Sequence, residues 1–124
     1  MSGALLDWRT GALVFVFGLS VAGSACAGGT QTFSGKAAYY SQDYKGVTAS
    51  GARYDPQKFT CAHRTLPFGT RLRVTDRRSH RSVVVVVNDR GPFDKGRVID
   101  LSLAAAKALH MLDRGLIAVS ASVQ

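Results

Sequence analysis

The sequence predicts a small, mainly β domain: a closed barrel of about six short strands with one short helix. Three observations point there. Val83–Val87 is a run of five β-branched residues, stopped soon after by Gly91-Pro92, as a strand running into a turn would be. Thr70–Thr75 alternates, with Leu72 and Val74 on one face and Arg71 and Arg73 on the other. Short apolar runs and turn-forming segments succeed one another without repeats or low-complexity tracts, which suits a small barrel.

Taken in order, Gly35–Tyr40 reads as the first strand, ending in the pair Tyr39-Tyr40, and Ser41–Gly46 as a polar loop. Thr48–Gly51 is a small-residue turn leading to Tyr54-Asp55-Pro56; a residue before proline is pushed to extended geometry, so Asp55 belongs in a loop. Lys58–His63 reads as a short strand and Leu66–Gly69 as a tight turn. The alternating strand reverses through a polar hairpin, Asp76–Arg81, into the valine strand, expected to be buried on both faces. Arg97–Ile99 is the next strand. Ser102 then caps a helix over Leu103–His110, with Asp100 just before the cap. Asp113–Gly115 turns the chain and Leu116–Val123 closes it as the last strand.

A chain of 124 residues has room for one domain. Residues 1–27 read as a signal peptide: Ala12–Ala22 is an apolar run of 11 residues, too short to span a bilayer, and Ala25-Cys26-Ala27 supplies a cleavage signal. Residues 28–34 form a short flexible segment and 35–124 the barrel. Export to the periplasm or cell envelope is the expectation. Cys26 after Gly23-Ser24-Ala25 also resembles a lipobox, and its lipidation is the one expected route to a membrane. Once Cys26 has left with the signal, Cys61 has no intrachain partner and reads as a small buried hydrophobe.

Removing Arg9 and Asp7 with the signal leaves 15 basic against 7 acidic residues, so the domain keeps its net +8. Such a surface attracts polyanions. No helix-turn-helix, zinc-finger or RNP pattern accompanies the charge, which argues against nucleic acid; a monomer on an anionic cell-wall polymer is expected. The chain contains no Glu, so any carboxylate chemistry falls to Asp43, Asp55, Asp76, Asp89, Asp94, Asp100 or Asp113. Asp89 stands out, at the mouth of the valine strand where packing does not call for a carboxylate. His80 and His110 lack metal-ligand spacing; no metal and no cofactor is expected.

The blocks G-K-A-A-Y-Y (35–40), T-A-S-G-A-R-Y-D (48–55), T-C-A-H-R-T-L-P-F-G-T (60–70), V-V-V-V-V-N-D-R-G-P-F (83–93) and R-V-I-D-L-S-L-A-A-A (97–106) resemble the RlpA family. The resemblance runs from Gly35 to Val123. It implies a six-stranded double-psi β-barrel and the activity of an endolytic peptidoglycan lytic transglycosylase, which cleaves MurNAc-GlcNAc strands and leaves 1,6-anhydro ends. In such a reaction the substrate's own C6 hydroxyl attacks C1. One carboxyl can therefore protonate the glycosidic oxygen and then take the hydroxyl proton, where hydrolysis usually needs two.

Asp89 is the candidate acid and base. The resemblance adds Asp55 and His63 as catalytic positions, related double-psi barrels such as expansins point to Asp100, and Asp100, Asn88, Arg90 and Tyr40 are expected to bind substrate. Each also has a plain structural role open to it. Asp55 can cap its own turn, and Asp100 can face the N-terminus of the helix. His63 can bond a sugar hydroxyl or act through its charge. Tyr39, Tyr40 and Phe93 can stack on sugars or pack in the core. The sequence departs from the family in three ways. Ala52 stands where the family has a Glu, Ser79-His80 where the hairpin usually carries Asn-Gly, and the chain reads as a short form without the C-terminal peptidoglycan-binding domain. The missing Glu leaves a second reading open, a non-catalytic, expansin-like barrel that binds peptidoglycan.

Overall fold

The computed structural model describes residues 31–124; the expected signal peptide and Cys26 lie outside the described residues. The strands are β1 Thr32–Tyr39, β2 Thr60–Ala62, β3 Arg71–Asp76, β4 Ser82–Asp89, β5 Arg97–Leu101 and β6 Ile117–Val123, and one helix, α1 Leu103–Ala108, precedes the last strand. They close into a barrel in the order β1-β5-β2-β4-β3-β6. Two pairs are parallel, β1 with β5 and β2 with β4; the rest are antiparallel.

The core follows from strand alternation. In β3, Leu72, Val74 and Asp76 face inward, while Arg71 and Arg73 face solvent. β4 differs from expectation. Val83, Val85 and Val87 are buried, but Val84 and Val86 are only half-buried. Val84 and Val86 point to the barrel's outer face, where they sit opposite the exposed Arg73 and Arg71. Leu72, Val74, Val85, Val87, Ile99, Leu101, Leu109 and Met111 fill the interior. Truncating a fully buried leucine such as Leu72 to Ala costs about 2–5 kcal/mol.

The helix starts where its cap predicts. Ser102 Oγ accepts from the Ala105 amide at 3.3 Å and also from the Thr60 amide at 3.3 Å, tying α1 to β2. The helix ends two residues earlier than expected. His110 takes φ 55°, with its amide bonded to the Lys107 carbonyl and the Met111 amide to that of Ala106, a left-handed stop usually made by glycine. His80 in the β3–β4 turn likewise takes φ 66°, where the Asn-Gly turn of the family would carry no strain.

Candidate active site at the mouth of the barrel

β2 is only three residues long, yet it sets the site. Ala62 is paired on one side with Asp100 of β5 and on the other with Asp89 of β4. The second pairing depends on a register slip: Cys61 pairs with Val87 and Ala62 with Asp89, skipping Asn88. That bulge brings Asp89 level with Asp100, two strand spacings or about 10 Å away along the sheet.

Three donors hold the Asp89 carboxylate. Its Oδ1 accepts from the Ala49 amide at 2.8 Å and the Arg90 amide at 2.9 Å, and its Oδ2 accepts from the Tyr40 hydroxyl. None of them is a cationic side chain. Ala49 belongs to the small-residue turn, which is closed by the Thr48 amide and hydroxyl on the Ala52 carbonyl, at 2.8 and 2.7 Å, and docked on β4 by the Ser50 amide on the Asn88 carbonyl. Ala52 itself is exposed. Tyr40 stacks on Tyr54, with centroids 4.5 Å apart and planes at 16°, and Tyr44 packs against both rings. The Tyr54 hydroxyl accepts from the Leu103 amide, linking this aromatic cluster to the helix. Burial, then the Asp89 hydrogen bond and the nearby Asp89 and Asp100 charges, push the Tyr40 phenol far above its ordinary range, so it remains a donor.

Asp100 is held by one arm of the Arg97 guanidinium, Nη2 donating to Oδ1 at 2.8 Å and Oδ2 at 3.0 Å, while the other arm, Nη1, donates to Asp94 at 2.6 Å. Burial still raises its pKa; Arg97 opposes the rise, while Asp94 and Asp89 add to it. The helix-dipole role gives way to this ion pair, because Asp100 lies within β5 and Ser102 serves as the cap.

The structure thus brings Tyr40, Asp89 and Asp100 together. His63 is joined to Asp89 through the backbone, its amide donating to the Asp89 carbonyl at 3.2 Å. Its Nδ1 accepts from the Thr65 and Leu66 amides at 3.2 and 3.1 Å, which leaves the proton on Nε2, and its ring lies 4.9 Å from that of Phe33. Burial, then Arg90 and Arg64, lower its pKa, so at neutral pH it offers a neutral N–H and not a charge. Arg90 donates to the carbonyls of His63 and Leu66 and covers the Phe68 ring at 4.1 Å, pinning the 63–68 loop. Asp55 stays apart: its Oδ1 accepts from the Gln57 amide at 2.9 Å within its own turn. Only Tyr54, the residue before it, reaches the cluster. Asn88 contributes its carbonyl and the bulge. Phe93 is 79% exposed beside the site, and Tyr39 is turned away, bonded to the Leu112 carbonyl. Cys61 is buried, and burial together with the Asp100 charge pushes its thiol up to about 12, which removes it as a nucleophile.

Sequence reasoning missed the Ala49 amide, the Tyr44–Tyr54 support and the Arg97 clamp. A backbone amide leaves no mark in a sequence, although Arg97 and Asp100, three apart, were open to reading as a pair.

The family model described as lytic transglycolase matches residues 32–121. The chain belongs to that family of double-psi β-barrels. Within it, the chain is 52% identical over 95 residues to a probable endolytic peptidoglycan transglycosylase RlpA of Nostoc, covering 74% of this chain and 26% of that protein. The RlpA of Neisseria meningitidis is 46% identical over 85 residues, covering 68% and 36%. The chain therefore spans about a quarter to a third of the length of these relatives. Among solved structures, a Streptomyces papain inhibitor superposes with TM-score 0.61 at 30% identity, covering 75% of this chain and 94% of the inhibitor. A Clavibacter michiganensis expansin bound to cellohexaose gives TM-score 0.59 at 24% identity, covering 76% and 50%, and speaks to the fold alone.

Proposed function

We propose that this barrel is an exported, monomeric lytic transglycosylase of the cell envelope, acting on peptidoglycan glycan strands with Asp89 as its acid and base. The observation that carries the reading is the Asp89 carboxylate at the barrel mouth, oriented by three uncharged donors and, among the described residues, in no ion pair. Family membership supports it, since relatives matched over most of this chain are named endolytic peptidoglycan transglycosylases.

In the reaction the bond from muramic C1 to the glycosidic oxygen breaks as the oxygen takes the proton from Asp89. The C6 hydroxyl then closes onto C1 and returns its proton to the carboxylate, so the acid is regenerated without a bound water. Tyr40 keeps Oδ2 in place through both transfers. Asp100, whose pKa is raised by burial, places a second carboxyl across β2 from Asp89. The neutral His63 is suited to a sugar hydroxyl, and the exposed ring of Phe93 to a sugar face. Asp55 supports the site through the turn that carries Tyr54. Cleavage after Ala27 delivers the protein to the envelope; cleavage before Cys26, followed by its acylation, is the alternative that would anchor it to a membrane.

Purified protein incubated with glycan strands stripped of stem peptides should release 1,6-anhydromuramic fragments detectable by mass spectrometry, and Asp89→Asn should stop it. Glycan retained without cleavage would favour the second reading, a binding barrel. Ala52 supports that alternative, because the loop that hands the Ala49 amide to Asp89 carries a methyl at the position of the family's Glu. Ala52→Glu should raise the cleavage rate under the enzymatic reading and leave a pure binder inert.

A further inference from the structure

The eleven residues Arg71–Arg81 hold five exposed arginines, Arg71, Arg73, Arg77, Arg78 and Arg81, and no lysine. The single acid in the stretch, Asp76, is buried against Arg114. The ion pairs among the described residues belong to Arg97 and Arg114, so none of these five guanidinium groups is neutralised there. Arg71 and Arg73 are successive outward rungs of β3, about 7 Å apart, and the other three continue past them around the β3–β4 turn.

Their neighbours define the shape of this charge. Ser122 lies beside Arg73, Ser120 and Ser82 flank Thr75, and Val84 and Val86 sit opposite Arg73 and Arg71. Neither β4 nor β6 carries a lysine or arginine. The positive charge therefore runs along β3 and on around its turn, flanked by serines of β6 and valines of β4. Asp89 lies at the other end of β4 from the turn, about 23 Å from it along the strand, so the strip runs away from the site: Arg71, opposite Val86, is about 10 Å from Asp89 along β4, and the other arginines are farther.

We propose that this strip docks a linear phosphodiester polymer. Guanidinium forks pair with phosphate oxygens bidentately, and an extended chain such as poly(glycerol phosphate) repeats its phosphates at about the rung spacing of the strand. A bilayer would reward charge spread over an area. Single-stranded nucleic acid would call for aromatic stacking platforms, whereas the rungs beside the arginines are serine and valine.

The test is fluorescence anisotropy of labelled poly(glycerol phosphate) titrated with the protein at rising salt. With five contacts, affinity should fall by about 50-fold as salt is raised by about threefold, following counterion release from a single chain. Arg71→Ser/Arg73→Ser/Arg78→Ser should reduce that fall to about fivefold. A charge-matched control at exposed lysines, Lys45→Ser/Lys58→Ser/Lys107→Ser, should keep the original salt dependence. Circular dichroism melts confirm that both variants fold. Equal losses in the two variants, tighter binding to phosphatidylglycerol vesicles or to a thymidine homopolymer, or no salt-dependent binding would each overturn the proposal. None of these outcomes depends on whether Asp89 cleaves glycan.

Discussion

Asp76 and Asp89 end neighbouring strands of one hairpin, at opposite ends of the barrel, and they have been given opposite surroundings. Asp76 is fully buried and sealed: Arg114 pairs with Oδ2, the Ser79 hydroxyl donates to the same oxygen at 3.0 Å, and the Arg78 amide donates to Oδ1 at 2.9 Å. Asp89 is half-buried, also has three donors, and lacks the cation. A cation that locks a carboxylate in its charged form makes it useful to the fold and useless for moving protons. The Asp89 carboxylate is fixed instead by one hydroxyl and two amides, half-buried at the barrel mouth where a ligand can reach it.

The two aspartates should therefore fail in opposite ways. Asp89→Asn should cut anhydro-product release by at least about 100-fold, the scale of a lost acid–base group, while the urea midpoint barely moves. Full activity in this variant would erase the contrast. Asp76→Asn should leave activity per folded molecule intact and lower stability by roughly 2 kcal/mol in urea unfolding. Burial alone would raise the Asp76 pKa, but Arg114, the Arg78 amide and Ser79 more than offset it and hold it at about 2. Because that folded value lies below the unfolded one, the stabilisation is complete above about pH 4 and fades as pH falls towards 2. Asp76→Asn should flatten this acid limb.

Tyr40→Phe sharpens the comparison from the other side. It removes one neutral donor from Asp89 and should slow cleavage by about 10-fold, with a stability loss near 1 kcal/mol. Glycan affinity should stay level, which separates positioning from binding. The smallest effect belongs to His63. Its folded pKa is lowered, first by burial, so its contribution to stability is present above the ordinary imidazole value near 6.5 and is lost as pH falls below it. NMR titration of its ring should give a midpoint below that of a free imidazole, and a midpoint above it would contradict a neutral donor at the site.

Much of the barrel was legible because its signals are local. The alternation in Thr70–Thr75, the Ser102 cap and the loop placement of Asp55 each follow from a few adjacent residues. Five valines in a row, by contrast, concealed which face was inward, since identical side chains show no alternation and only the register with Arg71 and Arg73 decides. The site was partly legible: Asp89 was visible as a carboxylate without a packing reason, but its partners were not. Tyr40 is 49 positions away and Ala49 contributes only an amide. The sealing of Asp76 was hidden for the same reason, because Arg114 lies 38 positions on and a carboxylate in a hairpin looks solvated until the chain folds over it.

Closure of the barrel through β1 and β6, which pair Thr32 with Ser122 and Ala37 with Ile117, has a kinetic consequence. The contacts that shut the cylinder join the two ends of the described chain, and the parallel pairs at the site also bridge long loops. Contacts of this kind form slowly, because the entropy of drawing distant segments together is lost before any burial compensates. A half-folded chain would hold the β3–β4 hairpin and its arginines but not the Tyr40–Asp89 contact. Refolding should therefore restore the local hairpin early and the site late, with activity returning only when the first strand meets the last.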